Sequence, residues 1–162
     1  MMAADRQKMR VVHAVAAAVP VVLAGAAGSA ATLKNIPTWY DHLAKPWFTP
    51  PNGVFGPAWT TLYILMAIAF YRVLGHPPGR ARTQAIAIFL VHMALNAFWS
   101  VAFFGNRSPG LGVAELVLFW PAALANVVLF WRLDRVAGAL MAPNLLWVTF
   151  AALLNIAVWR LN

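Results

Sequence analysis

Five predominantly apolar runs, at 11–31, 54–74, 83–104, 110–131 and 137–159, constrain this chain more than any other feature. About 20 residues of helix are needed to cross a bilayer, and each run is that long. Membrane β-strands are about half that length and alternate strictly, which these runs do not. Helices also satisfy their own backbone groups in hydrocarbon. The expected fold class is therefore an all-α membrane protein: a single domain over 1–162 forming a five-transmembrane-helix bundle, with a long first loop at 32–53.

Charge supports this reading. Only 10% of the residues are charged, where a soluble domain has about 25%. The net charge of +8 could point to nucleic acid. However, the basic residues sit at the ends of the apolar runs rather than on one polar face, so no nucleic-acid partner is expected. That placement is how topology signals and anionic-lipid contacts are distributed. Five spans put the termini on opposite sides. Arg6, Lys8, Arg10, Arg72, Arg80, Arg82, Arg132 and Arg135 gather on the N-terminal side, against Lys34, Lys45, Arg107 and Arg160 on the other. The N-terminal side is thus expected to be the inner one. The first run also has the look of a secretory leader, with basic residues followed by an Ala/Val stretch; the expectation is that it is retained as a span.

The stretch 39–63, WYDHLAKPWFTPPNGVFGPAWTTLY, stands apart from the runs. Its prolines exclude helix over its first half. A long loop this rich in aromatics is more often functional than a plain connector. The spans behind it carry side chains poorly suited to lipid. His92, Asn96 and Trp99 share one face of the third span, as do Asn144, Trp147, Ala151 and Asn155 of the fifth. Glu115 and Asn126 lie about three turns apart on the fourth. Trp59, Tyr63, Met66 and Phe70 form a stripe on the second. At about 1.5 Å per residue, Trp59 and Glu115 lie roughly 8 Å below the long-loop side, and Asn96 and Ala151 roughly 12 Å. The pattern describes an intramembrane pocket beneath a lid.

Each group also has a plainer role. Asn96, Asn126 and Asn155 serve equally well as hydrogen-bonding ties between helices. His92 reads as such a tie rather than a metal ligand, because no second His or carboxylate stands at ligand spacing. Glu115 is the only acid within a span, and it fits either a functional carboxylate or a structurally paired one. Trp47, Trp131 and Trp159 suit the interfacial aromatic belt. The chain has no phosphate loop, nucleophile elbow, HExxH or carboxylate pair, so hydrolytic and phosphoryl-transfer chemistry is not expected. With no Cys there is no thiolate metal site.

Four segments together resemble the translocator protein / tryptophan-rich sensory protein family. They are WYDHLAKPWFTPP (Trp39–Pro51), FGPAWTTLY (Phe55–Tyr63), ALNAFWSVAFFG (Ala94–Gly105) and PNLLWVTFAALLNIAVWRLN (Pro143–Asn162). The resemblance runs from about Gly25 to Asn162. It implies a five-helix bundle, commonly a homodimer, whose pocket opens under the first loop and takes porphyrins such as protoporphyrin IX or haem. Sterols and benzodiazepine-type compounds are further ligands in the family. Carried over by motif, the pocket residues are Trp39, Tyr40, Trp59, Asn96, Glu115, Trp147 and Ala151; Tyr63 and Trp99 join them from the helical stripes. The resemblance requires no cofactor and no resident metal; the porphyrin is ligand. Three positions depart from the family pattern: Gly53 and Asn144 stand where relatives often have Trp and Tyr, and Ile156 replaces the Tyr of the sterol consensus.

The resulting expectation is a multi-pass integral membrane protein that binds a tetrapyrrole as sensor, regulator or translocator, and is not an enzyme. The alternatives are light-dependent porphyrin degradation, which the resemblance attaches to Trp59 and Trp147, and transport of another amphipathic molecule.

Overall fold

The computed structural model describes residues 2–162, with side chains from residue 5 onward. Its helices are α1 (Met2–Thr32), α2 (Asn35–Thr38), α3 (Asn52–Leu74), α4 (Arg80–Ser100), α5 (Pro109–Leu133) and α6 (Arg135–Leu161). A 3-10 turn covers Tyr40–His42, and a π-helical turn, Val101–Gly105, extends α4. Among the described residues, five helices are long and apolar enough to cross a membrane, namely all but the single-turn α2.

The helices outrun the apolar runs for identifiable reasons. α1 begins at Met2 rather than near residue 11, because Ala, Gln, Lys and Arg are good helix formers even where they are too polar for lipid. α3 starts at Asn52, directly after Pro51, whose extended backbone (φ −54°, ψ 142°) forms the N-cap. Gly53, expected from sequence as the last residue of the first loop, therefore lies within the first turn of α3. α5 opens with Pro109 in its first turn, where a missing N–H costs nothing. Ser108 Oγ accepts the Leu111 amide there at 3.2 Å.

One residue, Asp134, separates α5 from α6. Its Oδ1 accepts the Val136 and Ala137 amides at 2.9 and 3.1 Å, capping α6. The Arg72 guanidinium, at the end of α3, donates to both carboxylate oxygens at 2.9 and 3.2 Å. The hairpin is tight enough to need glycine: a Cβ on Gly138 would lie 2.6 Å from Trp131 Cα.

Contacts run α1 to α4, α4 to α5, α5 to α6, α6 to α3 and α3 back to α1, so the spans close into a ring. The inner half of this ring is solid. Met66, Phe70, Phe89, Phe130 and Met141 fill it, with Phe89 stacked on Phe70 at 4.1 Å and near Phe130 at 5.8 Å. Small residues of α1, Ala17, Val21 and Ala24, let that helix approach the same core. Such close packing, rather than expulsion of water, holds helices together in lipid. Large apolar side chains such as Val22, Leu23, Val117 and Leu146 point outward instead.

Candidate functional site

The outer half of the ring is hollow. A cavity of about 490 Å³ opens there among α1, α3, α4 and α6, beneath the first loop. This is within the range of small-molecule sites, about 300–1,000 Å³. The same sequence that fills the inner half with Phe and Met places glycine and rigid rings in the outer half. Gly25 and Gly28 of α1 lie on the wall, and a Cβ on Gly25 would stand 3.2 Å from the Tyr63 ring.

Aromatic edges define the cavity. Trp59 and Trp147 face each other across α3 and α6, with ring centroids 6.3 Å apart and planes at 81°. Trp59 also leans on Tyr63 at 5.5 Å, and Phe55 meets Trp147 at 6.0 Å. Trp99 stacks on Phe103 at 5.3 Å, a contact set up by the π-helical turn. The indole N–H of Trp99 donates to Asn155 Oδ1 at 3.2 Å, and Asn155 Nδ2 donates to the Pro109 carbonyl at 2.8 Å. Both ends of that amide are satisfied, so it fixes the Trp99 ring plane.

The loop closes the top. Tyr40 is buried against Phe103 and Phe104. Burial, and then the neighbouring Asp41 charge, push its phenol above the usual tyrosine value. Lys45 Nζ stands 4.7 Å above the Tyr40 ring and donates to the Asp41 carbonyl at 3.2 Å. Phe48 reaches Phe150 of α6. The Asn162 side chain holds Ala44 from both sides, accepting from its N–H and donating to its carbonyl, each at 3.0 Å.

Of the residues expected at the site, Tyr40, Trp59, Tyr63, Trp99, Trp147 and Ala151 line this cavity. Trp39, Asn96 and Glu115 do not. Trp39 points to the other side of the loop, packing on Phe103 and Phe104 and edging a separate cleft with Arg107 and Trp159. Asn96 is one layer behind the wall, where its Oδ1 accepts the Tyr63 hydroxyl at 2.8 Å. Glu115 belongs to α5, which contributes nothing to the cavity wall, and it is buried without a hydrogen-bond partner. Helical periodicity identifies the buried face of α5; it does not reveal that α5 stands on the far side of α4 and α6. His92 is likewise off the cavity, bonded to Asn126 of α5 at 2.9 Å.

Sequence reasoning did not assign Gly25, Gly28, Ser29 or Phe103 to the pocket, although all line it; Asn155, which the sequence left open between helix tie and pocket group, lines it as well. Small residues such as these also let helices approach closely, and Gly25 and Gly28 do so against Tyr63 and Ser100. The available signal was their position in the outer half of the first span, level with Tyr63.

A ring of five spanning helices with an aromatic cavity under its first loop defines a multi-pass integral membrane protein. Residues 16–160 match the TspO/MBR family, and the chain belongs to it. It is 40% identical to protein CrtK of Rhodobacter capsulatus, over 90% of this chain and 91% of that one. It is 36% identical to the tryptophan-rich protein TspO of Archaeoglobus fulgidus, over 95% and 99% of the two chains. The human translocator protein is 36% identical over 76% of this chain and 75% of its own.

Proposed function

We propose that the outer-half cavity binds a tetrapyrrole such as protoporphyrin IX or haem, and that the protein acts as a sensor, regulator or translocator of it. The observation that carries this reading is the wall itself. Trp59 and Trp147, nearly perpendicular at 6.3 Å, offer one indole face and one indole edge to the same volume. A flat conjugated ring is the ligand class such a corner fits. Tyr40 and Asn52 line the cavity beside the first loop, where ligand carboxylates would emerge near Lys34 and Lys45. The wall residues include no imidazole, so this reading rests on the aromatic macrocycle and assigns no histidine to the iron.

Saturable quenching of tryptophan fluorescence by protoporphyrin IX tests this. An aromatic contact is worth about 0.5–1.5 kcal/mol and Phe offers a smaller ring than indole, so Trp59→Phe and Trp147→Phe should each weaken binding about two- to tenfold. Their effects should not add, because the two rings touch. Wild-type affinity in both variants would remove the cavity from consideration.

The same indole pair favours a second reading, light-dependent breakdown of the bound porphyrin. It requires product under illumination that neither single variant makes; equal product from wild type and variants excludes it. The resemblance further implies a homodimer. Cross-linking in the native membrane that yields only monomer would argue against that assembly.

A further inference from the structure

We propose that the second cleft, at the loop end of the bundle, is a lipid site: the Arg107 guanidinium binds the phosphate of one phospholipid headgroup there. The cleft has a volume of about 420 Å³ and shares no lining residue with the aromatic cavity. Three parts of the chain build it. Trp39 and Leu43 come from the first loop, Arg107 and Ser108 from the α4–α5 turn, and Trp159 and Asn162 from the end of α6.

The guanidinium is positioned by the fold. Arg107 is the one non-glycine residue, among those described, with a left-handed backbone (φ 51°). Glycine is the residue that commonly takes this conformation after a helix. Arg107 Nε donates to Asn35 Oδ1 at 3.1 Å. Asn35 is buried, and its own Nδ2 donates to the Ala31 carbonyl at 2.8 Å. Nε is thus committed, and the two Nη groups pair with no described side chain. The carboxylate of the observed ion pairs is Asp134, at the opposite end of the bundle, and no acid lines the cleft.

The other side chains of the cleft favour an anion too. Ser108 Oγ accepts the Leu111 amide and keeps its own proton to donate. The indole N–H of Trp159 has no partner among the described residues, and indole can only donate. The Asn162 amide is already committed to Ala44 and Val158. A planar guanidinium with its Nη groups free matches two oxygens of a phosphate at once.

The surroundings favour a headgroup over a free ion. Trp159 stands two residues from the end of α6 and is half exposed, and indoles at span ends sit at headgroup depth. Leu111, just past the α5 residues that line the cleft, and Leu118, two turns on along the same face, are 51% and 64% exposed. They offer acyl chains an apolar track leading away from the phosphate. Trp39 borders this cleft while Tyr40, next in sequence, lines the aromatic cavity. A seated headgroup therefore abuts the same loop that closes the cavity.

The test is magic-angle-spinning NMR of the full chain, 15N-labelled at arginine, in bilayers of phosphatidylcholine with a minor share of phosphatidylglycerol. The Arg107 guanidinium signal is the one absent from Arg107→Gly, a substitution that the left-handed backbone favours. Arg107→Lys gives the same assignment should the glycine variant not fold. Arg160, exposed and outside the cleft, is the reference and is assigned through Arg160→Gln. Dephasing by lipid 31P should be strong at the Arg107 Nη groups and persist in molar salt, which screens exposed charges and should erase it at Arg160. In galactolipid bilayers with inorganic phosphate as the only phosphorus, Arg107 should show none. Three results overturn the proposal: no dephasing at Arg107, dephasing that salt removes equally from Arg107 and Arg160, or dephasing by inorganic phosphate as strong as by phospholipid.

Discussion

Single residues set what this cavity can hold, and glycines show it most clearly. A Cβ on Gly112 would come within 2.5 Å of Asn155 Oδ1, whereas one on Gly53 would meet nothing within 4 Å. Gly112 is therefore a packing requirement, and Gly53 is free space on the cavity wall. A larger side chain at Gly53 does not strain the backbone, since the residue is in ordinary helix. Gly53→Trp should leave the thermal midpoint nearly unchanged, as surface changes stay within about 0.5 kcal/mol. It should tighten porphyrin binding severalfold by adding an indole at the mouth; isothermal titration and a melting curve on the same sample measure both. The residue scale is also where sequence was most informative. The Trp59–Tyr63 and Trp147–Ala151 pairs follow from four-residue spacing alone. Glu115 shows the limit, because a helical face is legible in one dimension but the neighbour it meets depends on the order of helices around the ring.

At the scale of elements, the α5–α6 hairpin hangs on Asp134. Burial alone would raise this carboxyl, but the Ala137 amide, hydrogen bonds from Arg72 and His76, and the Arg72 charge outweigh it and hold it below its ordinary value. A lowered folded-state value means that the stabilisation is complete above the unfolded pKa of about 3.9 and is lost as pH falls through the folded one. Thermal midpoints should therefore drop below about pH 4 in the wild type. Asp134→Asn keeps a good helix cap and should lose this acid-sensitive component at a cost of about 0–1 kcal/mol, since the Arg72 side chain is 41% exposed. Asp134→Ala also loses the cap and should cost about 1–2 kcal/mol. An unaltered pH profile in the Asn variant would show that the ion pair contributes nothing. The five spans were legible because length and apolarity are properties of sequence. Their ends were less so: α1 extends through a polar segment by propensity, and the π-helical turn at Val101–Gly105 has no composition signal of its own. The short helix and 3-10 turn in the first loop, α2 and Tyr40–His42, depend on tertiary support from Phe103 and Phe104.

The whole molecule is a cup rather than a tube: hollow in its outer half, plugged by Phe70, Phe89 and Phe130 in its inner half. Straight passage along the bundle axis would have to displace that stack. By the excess of cations at the plugged end, eight against four at the loop end, the cup is expected to sit with its mouth away from the inner side. The chain has no Cys, so single cysteines report orientation directly. In sealed, inside-in cells or vesicles, an impermeant maleimide should label Trp47→Cys from outside, where the native side chain is 95% exposed, and should reach His76→Cys only after permeabilisation. The reverse order would invert the topology. The Asn162–Ala44 amide pair that pins the loop has a consequence in time rather than in affinity. If bound and free protein hold this pair equally, it shifts no equilibrium. If a guest passes beneath this loop, both entry and escape nevertheless wait for the pair to part. Residence of a guest in the cup would then be set by how often one terminal side chain lets go, and the hydrogen-exchange rate of the Ala44 amide would keep the same clock.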